Sequence, residues 1–173
     1  MRHFKYIIFS LLLTLGFVGC NQENNDFDIE YASIHPMGGQ YSVTVKDELG
    51  NKVNTATLYC YLANTTDNST TKCWLRIGSY STSATTAYSI NGKIDCDLTS
   101  LSFSGSNIMN LAGNVTTSSE TFNVTGGKIE LNGITAPSGT ITDKISFTFT
   151  RTLKPGKTYT VVGFRYTGWP EDL

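Results

Sequence analysis

Apolar and polar residues alternate along most of the chain from Tyr41 onward, with Thr, Ser, Lys and Asp between the apolar positions. A period of two residues is typical of strands that bury one face. Asn91-Gly92 and Gly126-Gly127 lie between such rows, and they are typical of tight hairpin turns because these residues adopt positive φ angles. The predicted inward rows are Tyr41, Val43 and Val45; Leu58, Cys60 and Leu62; Cys73, Leu75 and Ile77; Ile94, Cys96 and Leu98; Phe122 and Val124; Ile129 and Leu131; Ile145, Phe147 and Phe149; and Tyr159 and Val161. The pattern predicts an all-β domain.

Short antiparallel strands of this kind form either a closed barrel or a sandwich, since both arrangements protect the sheet edges. The pattern leaves these two alternatives open. A barrel of about eight strands has an interior that holds its own side chains or one small ligand. The choice between a hollow and a filled barrel therefore decides where a ligand binds.

The N-terminus has the pattern of an export signal. Arg2 and Lys5 precede an uncharged apolar run over residues 6–18, and a polar stretch follows. The run is shorter than the roughly 20 residues that a membrane-spanning helix needs, so we predict a signal peptide at residues 1–19. Phe17-Val18-Gly19-Cys20 resembles the bacterial lipobox, which implies that Cys20 receives a lipid anchor.

This resemblance implies an outer-membrane lipoprotein on the periplasmic or cell-surface side. Several acyl chains, palmitate among them, anchor a protein stably, whereas one chain does so only marginally. Residues 20–36 are predicted to be a flexible tether because their acidic, Asn-rich start buries too little apolar surface to fold. Residues 37–173 are predicted to form the β-domain.

Charge and cysteine spacing exclude several classes of partner. The chain has 13 basic and 14 acidic residues, and loss of Arg2 and Lys5 with the signal leaves a net charge of −3. No basic patch favours nucleic acid. Cys60, Cys73 and Cys96 permit either one disulfide and a free thiol or three buried thiols. Because they include no Cys-x-x-Cys pair, we expect no metal and no other cofactor.

The C-terminal segment Gly163-Phe164-Arg165-Tyr166-Thr167-Gly168-Trp169-Pro170-Glu171-Asp172 closely resembles the closing motif of a bacterial lipoprotein family, the lipid-binding putative hydrolases. The resemblance continues upstream in Ser138-Gly139-Thr140 and Asp143-Lys144-Ile145. The family has a calycin-like β-barrel, the architecture of lipocalins. The resemblance therefore implies a barrel, with a sandwich as the alternative, and a lipid-like ligand.

The hydrolase part of the family's description finds little support in the residues. Nucleophilic hydrolysis needs a nucleophile, a base and a group that orients the base. His35 is the one histidine after the predicted signal, and no Gly-x-Ser-x-Gly motif occurs. Asp95 and Asp97 share one face of a strand, but that face is expected to be solvated. We therefore expect a non-catalytic protein.

Two hypotheses follow for the ligand site. In the first, the barrel binds a lipid or another apolar small molecule, and its predicted lining residues are Leu58, Leu75, Ile77, Phe103, Phe147 and Phe149. In the second, the barrel is filled, and an outward aromatic face with Trp74, Tyr59 and Tyr61 binds a glycan or a protein, since aromatic planes stack on sugar rings.

Arg165 also has two interpretations. Strict alternation along the last strand points it inward unless a bulge at Gly163 reverses the face. It either anchors a lipid carboxylate through its planar fork or closes the barrel end by stacking on a ring such as Trp169 or Trp74. We favour the structural interpretation.

Overall fold

The computed structural model describes residues 30–83 and 85–172, and one compact unit begins at Tyr31. Within it, eight strands form a closed barrel in which each strand pairs antiparallel with the next and the last pairs with the first. The predicted all-β barrel is confirmed, and the sandwich alternative is wrong. The elements are β1 (Gly39–Lys46), β2 (Leu58–Asn64), β3 (Lys72–Ile77), β4 (Asn91–Asp97), β5 (Ser102–Met109), β6 (Thr121–Thr135), β7 (Ile141–Arg151), β8 (Lys154–Arg165) and a 3-10 helix (Pro170–Asp172).

The predicted inward rows lie inside the barrel except for Leu98, which is partly buried in the turn after β4, and Leu131. In β1, for example, Tyr41, Val43 and Val45 are buried and alternate with residues of the outer face. Leu131 was predicted to point inward, but it is 56% exposed. The pairing of β6 with β7 is irregular between Glu130 and Ile134, so the simple alternation ends there.

The predicted turn at Gly126-Gly127 is instead a bulge within the single strand β6. The pairing with β7 shifts register between Thr125 and Lys128, and Gly126 has a φ of 63°. A Cβ atom on Gly127 would collide with the ring of Phe103. The glycine pair therefore bends the strand around that ring without reversing the chain.

Asn91-Gly92 was also predicted as a turn, but it begins β4. Gly92 faces inward, and a Cβ atom there would lie 2.5 Å from Cγ2 of Ile108 and 2.9 Å from the ring of Phe122. This glycine leaves room for side chains of β5 and β6. Its role is packing, which the dipeptide alone does not reveal.

The interior of the barrel is packed with its own side chains. Leu75, Ile94 and Phe149 have no accessible surface, whereas a water-sized void beside them would leave some. Aromatic rings interlock across β7 and β8, with 5.0 Å between the stacked ring centres of Phe149 and Tyr159. The inward rows therefore form one hydrophobic core.

A buried ion pair closes one end of this core. Arg151, the last residue of β7, is fully buried, and its Nε donates to Oε1 of Glu120 at 2.6 Å. Its Nη1 donates to the carbonyl oxygens of Thr86 and Ala87 at 2.5 and 3.0 Å. Because those carbonyls belong to the β3–β4 connection, Arg151 holds that connection over the end of the barrel.

Candidate functional site

The six predicted lining residues all lie in the barrel interior. They come from β2, β3, β5 and β7 and belong to one hydrophobic cluster. Phe103 and Phe147 pack edge to face, with ring centres 5.4 Å apart. In this arrangement the residues contact one another, and contact with a ligand stays a prediction. Their exposed fractions are 6% for Leu58, 0% for Leu75, 1% for Ile77, 3% for Phe103, 3% for Phe147 and 0% for Phe149.

Arg165 closes the other end of the barrel. The pairing of β8 with β1 and β7 runs through Gly163 without a register shift, so Arg165 keeps the inward direction. Its Nε donates to Oδ2 of Asp143 at 2.7 Å, and its Nη1 donates to the carbonyl of Gly38. The guanidinium carbon lies 5.1 Å from the ring centre of Tyr41. Arg165 therefore packs on the ring of Tyr41, whereas the ring predicted from the sequence was Trp169 or Trp74. These contacts favour the structural interpretation.

The rest of the C-terminal motif fastens the chain end to the β6–β7 turn. Asp172 accepts hydrogen bonds from the backbone N–H and the hydroxyl of Ser138, at 2.7 and 2.8 Å, and from the hydroxyl of Thr167. Burial alone raises the pKa of Asp172, but the hydrogen bonds from Thr167 and Ser138 outweigh it and lower the pKa. The described residues of this motif thus stabilise the fold.

The candidate catalytic groups make local contacts. The ring of His35 lies beside that of Tyr31, with centres 3.9 Å apart. Asp95 pairs with Lys72 on the surface. Asp97 accepts hydrogen bonds from the hydroxyl of Ser100 at 2.7 Å and from a backbone N–H, and the bond from Ser100 contributes most to the lowered pKa of Asp97. Each contact stabilises a surface turn or strand.

The thiols of Cys60, Cys73 and Cys96 are free and buried, as in the second of the two alternatives. Burial raises the pKa of all three thiols, which keeps them protonated and weakly nucleophilic at neutral pH. Within residues 30–83 and 85–172, no group of three or more His, Cys, Asp or Glu side chains is placed to hold a metal ion.

A cavity of about 530 Å³ lies on the outer surface of β2, β3 and β4. Its floor consists of outward side chains that stand opposite one another on neighbouring strands. Tyr61 faces Arg76, Ala63 faces Trp74, and Asn91 faces Arg76 from the other side. Because these residues alternate with buried ones, the cavity lies outside the barrel wall. We call it the outer cavity.

The walls of the outer cavity come from two connections. Tyr80 belongs to the β3–β4 connection, and Leu111, Asn114 and Val115 belong to the β5–β6 connection. The N–H of Leu111 donates to the carbonyl of Asn91 at 2.8 Å, which fixes this wall to the floor. The wall is therefore attached to the floor at Leu111.

The buried ion pair supports the same wall. Oδ1 of Asn110 accepts from the N–H of Asn91 at 2.9 Å. Nδ2 of Asn110 donates to Oε2 of Glu120 at 3.1 Å. Glu120 in turn pairs with Arg151. A continuous hydrogen-bonded network thus runs from the barrel end to the cavity.

The lining of the outer cavity is suited to an apolar ligand with a polar end. Trp74, Leu111 and Val115 supply apolar surface, and Val115 is 43% exposed. Arg76 supplies one positive charge, and the side chains of Asn91 and Asn114 supply amides. The cavity volume falls within the range of small-molecule sites, about 300–1,000 Å³.

The sequence identified part of this site. The predicted outward aromatic face included Trp74 and Tyr61, which line the cavity, and Tyr59, whose ring instead contacts that of Tyr166 with centres 5.8 Å apart. Tyr80 and the wall around Leu111 were missed because their connections lack an alternating pattern. Leu111 and Val115, apolar residues in a polar segment, were the available signal.

The sequence model of a family described as lipid-binding putative hydrolase matches residues 26–170. A comparison with curated proteins returned no match. Among the described residues, no helix is both long and apolar enough to cross a membrane. The predicted signal peptide at residues 1–19 and the predicted lipidation site, Cys20, lie outside the described residues.

Proposed function

Because the chain belongs to the family of lipid-binding putative hydrolases, we propose that it is a non-catalytic lipoprotein that binds a lipid or another apolar small molecule. In this proposal the lipid on Cys20 anchors the protein to the outer membrane, with the barrel on the periplasmic or cell-surface side. The ligand occupies the outer cavity beside Trp74.

The observation that carries this placement is the contrast between the inside and the outside of the barrel. A ligand in the interior has to displace side chains such as Phe147, which is 3% exposed. Forcing extra atoms into a packed core costs about 1–3 kcal/mol or more. The outer cavity already offers about 530 Å³ beside accessible apolar groups of Leu111 and Val115, so binding there avoids this cost.

The hydrophobic effect supplies enough free energy for moderate affinity. Each buried methylene contributes about 0.8 kcal/mol, so an acyl chain of about twelve methylenes offers roughly 10 kcal/mol when fully buried. Micromolar affinity requires about 8 kcal/mol. Since an open cavity buries the chain in part and association has its own cost, we expect dissociation constants in the micromolar range or weaker.

The non-catalytic part of the proposal rests on the local contacts of the candidate groups. Asp95 and Asp97 serve a surface ion pair and a turn. The thiol of Cys60, which would have to lose a proton to act as a nucleophile, is fully buried with a raised pKa. These residues have structural roles that account for their positions.

Two exposed valines provide a matched test of the site. Val115 lines the outer cavity and is 43% exposed, whereas Val162, which is 40% exposed, lies on the outer face of β8 beside a separate cavity of about 520 Å³. The protein is the unacylated mature chain with Cys20→Ser, and the readout is displacement of the neutral dye N-phenyl-1-naphthylamine by a fatty acid. We expect Val115→Asp to weaken fatty-acid binding at least tenfold and Val162→Asp to leave it unchanged. Equal affinity in both variants would contradict the placement.

A second candidate function is glycan binding at the same cavity. Trp74 and Tyr61 lie beside the amides of Asn64, Asn91 and Asn114, and sugar recognition combines aromatic planes with polar groups. Quenching of protein fluorescence by an oligosaccharide, with no displacement of the dye by fatty acid, would favour this candidate.

A further inference from the structure

Arg76 is the one charged residue that lines the outer cavity. Its guanidinium carbon lies 4.3 Å from the ring centre of Tyr61 and 3.6 Å from that of Tyr80. The cation is therefore held between two aromatic rings, which fix its position and attract it electrostatically. Such an arrangement orients the guanidinium before a ligand arrives.

The hydrogen-bonding capacity of Arg76 is unused by the protein. Its Nε is buried and has no hydrogen-bond partner, and within the described part of the chain the contacts of its guanidinium are those with the two rings. Arg165, by contrast, donates to a carboxylate and to a backbone carbonyl. Since no described residue accepts a hydrogen bond from the Nη groups of Arg76 either, these outer donors stay available to a ligand.

The surroundings of Arg76 favour a negatively charged ligand. The described lining of the cavity comprises apolar, aromatic and amide side chains and contains no Asp or Glu. Nothing in this lining neutralises the guanidinium. A planar guanidinium binds carboxylate and phosphate oxygens through parallel N–H donors, and the cavity places apolar Leu111 and Val115 beside it for the rest of the ligand.

We infer that Arg76 anchors the anionic end group of the ligand, and that the protein selects anionic amphiphiles, with a carboxylate or phosphate end, over neutral lipids. This inference rests on the proposed function, since it assigns the ligand class of the same cavity. The acyl chain lies along Trp74 and the β5–β6 wall, and the end group accepts hydrogen bonds from the Nη groups, since Nε is buried.

The test compares three ligands of equal chain length, a fatty acid, an alkyl phosphate and a fatty alcohol, by dye displacement from the unacylated mature chain. We expect at least one anionic ligand to bind about tenfold or more tightly than the alcohol, because charge-assisted bonds are about twice as strong as neutral ones. The fatty acid and the alkyl phosphate distinguish the two possible end groups. Inorganic phosphate alone should not displace the dye.

Arg76→Gln should abolish this preference while leaving alcohol affinity within about twofold. Arg76→Lys, which keeps the charge but loses the fork, should retain part of it. Lys93→Gln is the matched charge control, since Lys93 lies on β4 with its Nζ 5.7 Å from the ring centre of Trp74, and it should retain the preference. Because Arg76 has no protein acceptor, we expect the Gln variant to lose only its attraction to the two rings and to remain folded, which its melting curve checks.

Two outcomes contradict the inference in distinguishable ways. If the alcohol binds as tightly as both anions, or if Arg76→Gln and Arg76→Lys both keep the anion preference, the role of Arg76 is wrong and lipid binding stands. If none of the three ligands displaces the dye, the proposed function fails as well.

Discussion

Arg151→Met removes the guanidinium that pairs with Glu120 at the end of the barrel. The two side chains are 0% and 9% exposed, so solvent does little to screen the carboxylate that remains. Removal of one partner of a buried pair costs about 3–5 kcal/mol, and the carbonyls of Thr86 and Ala87 lose a donor as well. The expected loss is a large fraction of the 5–15 kcal/mol that typically stabilises a domain.

Urea denaturation followed by tryptophan fluorescence measures this loss. With a slope of about 2 kcal/mol per M, a loss of 3–5 kcal/mol lowers the midpoint by about 1.5–2.5 M. Lys72→Met is the matched control, because Lys72 and Asp95 are 48% and 58% exposed and such a surface pair contributes at most about 1 kcal/mol. The double variant Arg151→Met/Glu120→Gln, which leaves no unpaired charge, should recover part of the loss. Equal midpoints for Arg151→Met and Lys72→Met would refute the reasoning.

Three further predictions concern the anchor and the C-terminal motif. Cys20→Ala should abolish incorporation of radiolabelled fatty acid and release the protein from the membrane fraction; equal labelling of the variant would contradict lipidation. Arg165→Met should lower the free energy of unfolding by about 1–3 kcal/mol and leave ligand affinity unchanged, and selective loss of fatty-acid binding without destabilisation would show a binding role instead. Because the folded-state pKa of Asp172 is lowered, its stabilisation is complete above the usual Asp pKa of about 3.9 and is lost as the pH falls through the folded-state value. The difference in melting temperature between wild type and Asp172→Asn should therefore shrink as the pH falls below about 4, and a constant difference would contradict this.

The strands were predictable because their signal is local. Each inward row, such as Ile145, Phe147 and Phe149, repeats every second residue, and burial of one face requires that period. The C-terminal motif added the choice of a barrel. Arg165 and Asp143, both in segments that carry the family resemblance, meet in space at 2.7 Å.

Glycine was harder to interpret because its role depends on residues far along the chain. At Gly92 a larger residue would collide with the side chains of Ile108 and Phe122. Gly127 accommodates the ring of Phe103 in the same way. A sequence window that contains only the glycine predicts a turn, since the packing partner lies outside it.

The outer cavity was only partly predictable, because one of its walls depends on residues that are distant in the chain. Alternation placed Trp74 and Tyr61 on an outward face, but the wall from Leu111 to Val115 comes from a connection whose position depends on the buried Glu120–Arg151 pair. Those two residues are 31 positions apart in the chain. The unused guanidinium of Arg76 likewise depends on which side chains distant connections bring near it.

Quenching of Trp74 by a brominated fatty acid tests the location of the ligand most directly. The chain has two tryptophans; Trp74 lines the outer cavity, and Trp169 is 56% exposed near the C-terminus. In Trp169→Phe, where Trp74 is the reporter, bromine on the acyl chain should quench the fluorescence in a saturable manner. In Trp74→Phe it should leave Trp169 unaffected. Saturable binding by dye displacement without quenching of Trp74, or equal quenching of both tryptophans, would contradict binding in the outer cavity.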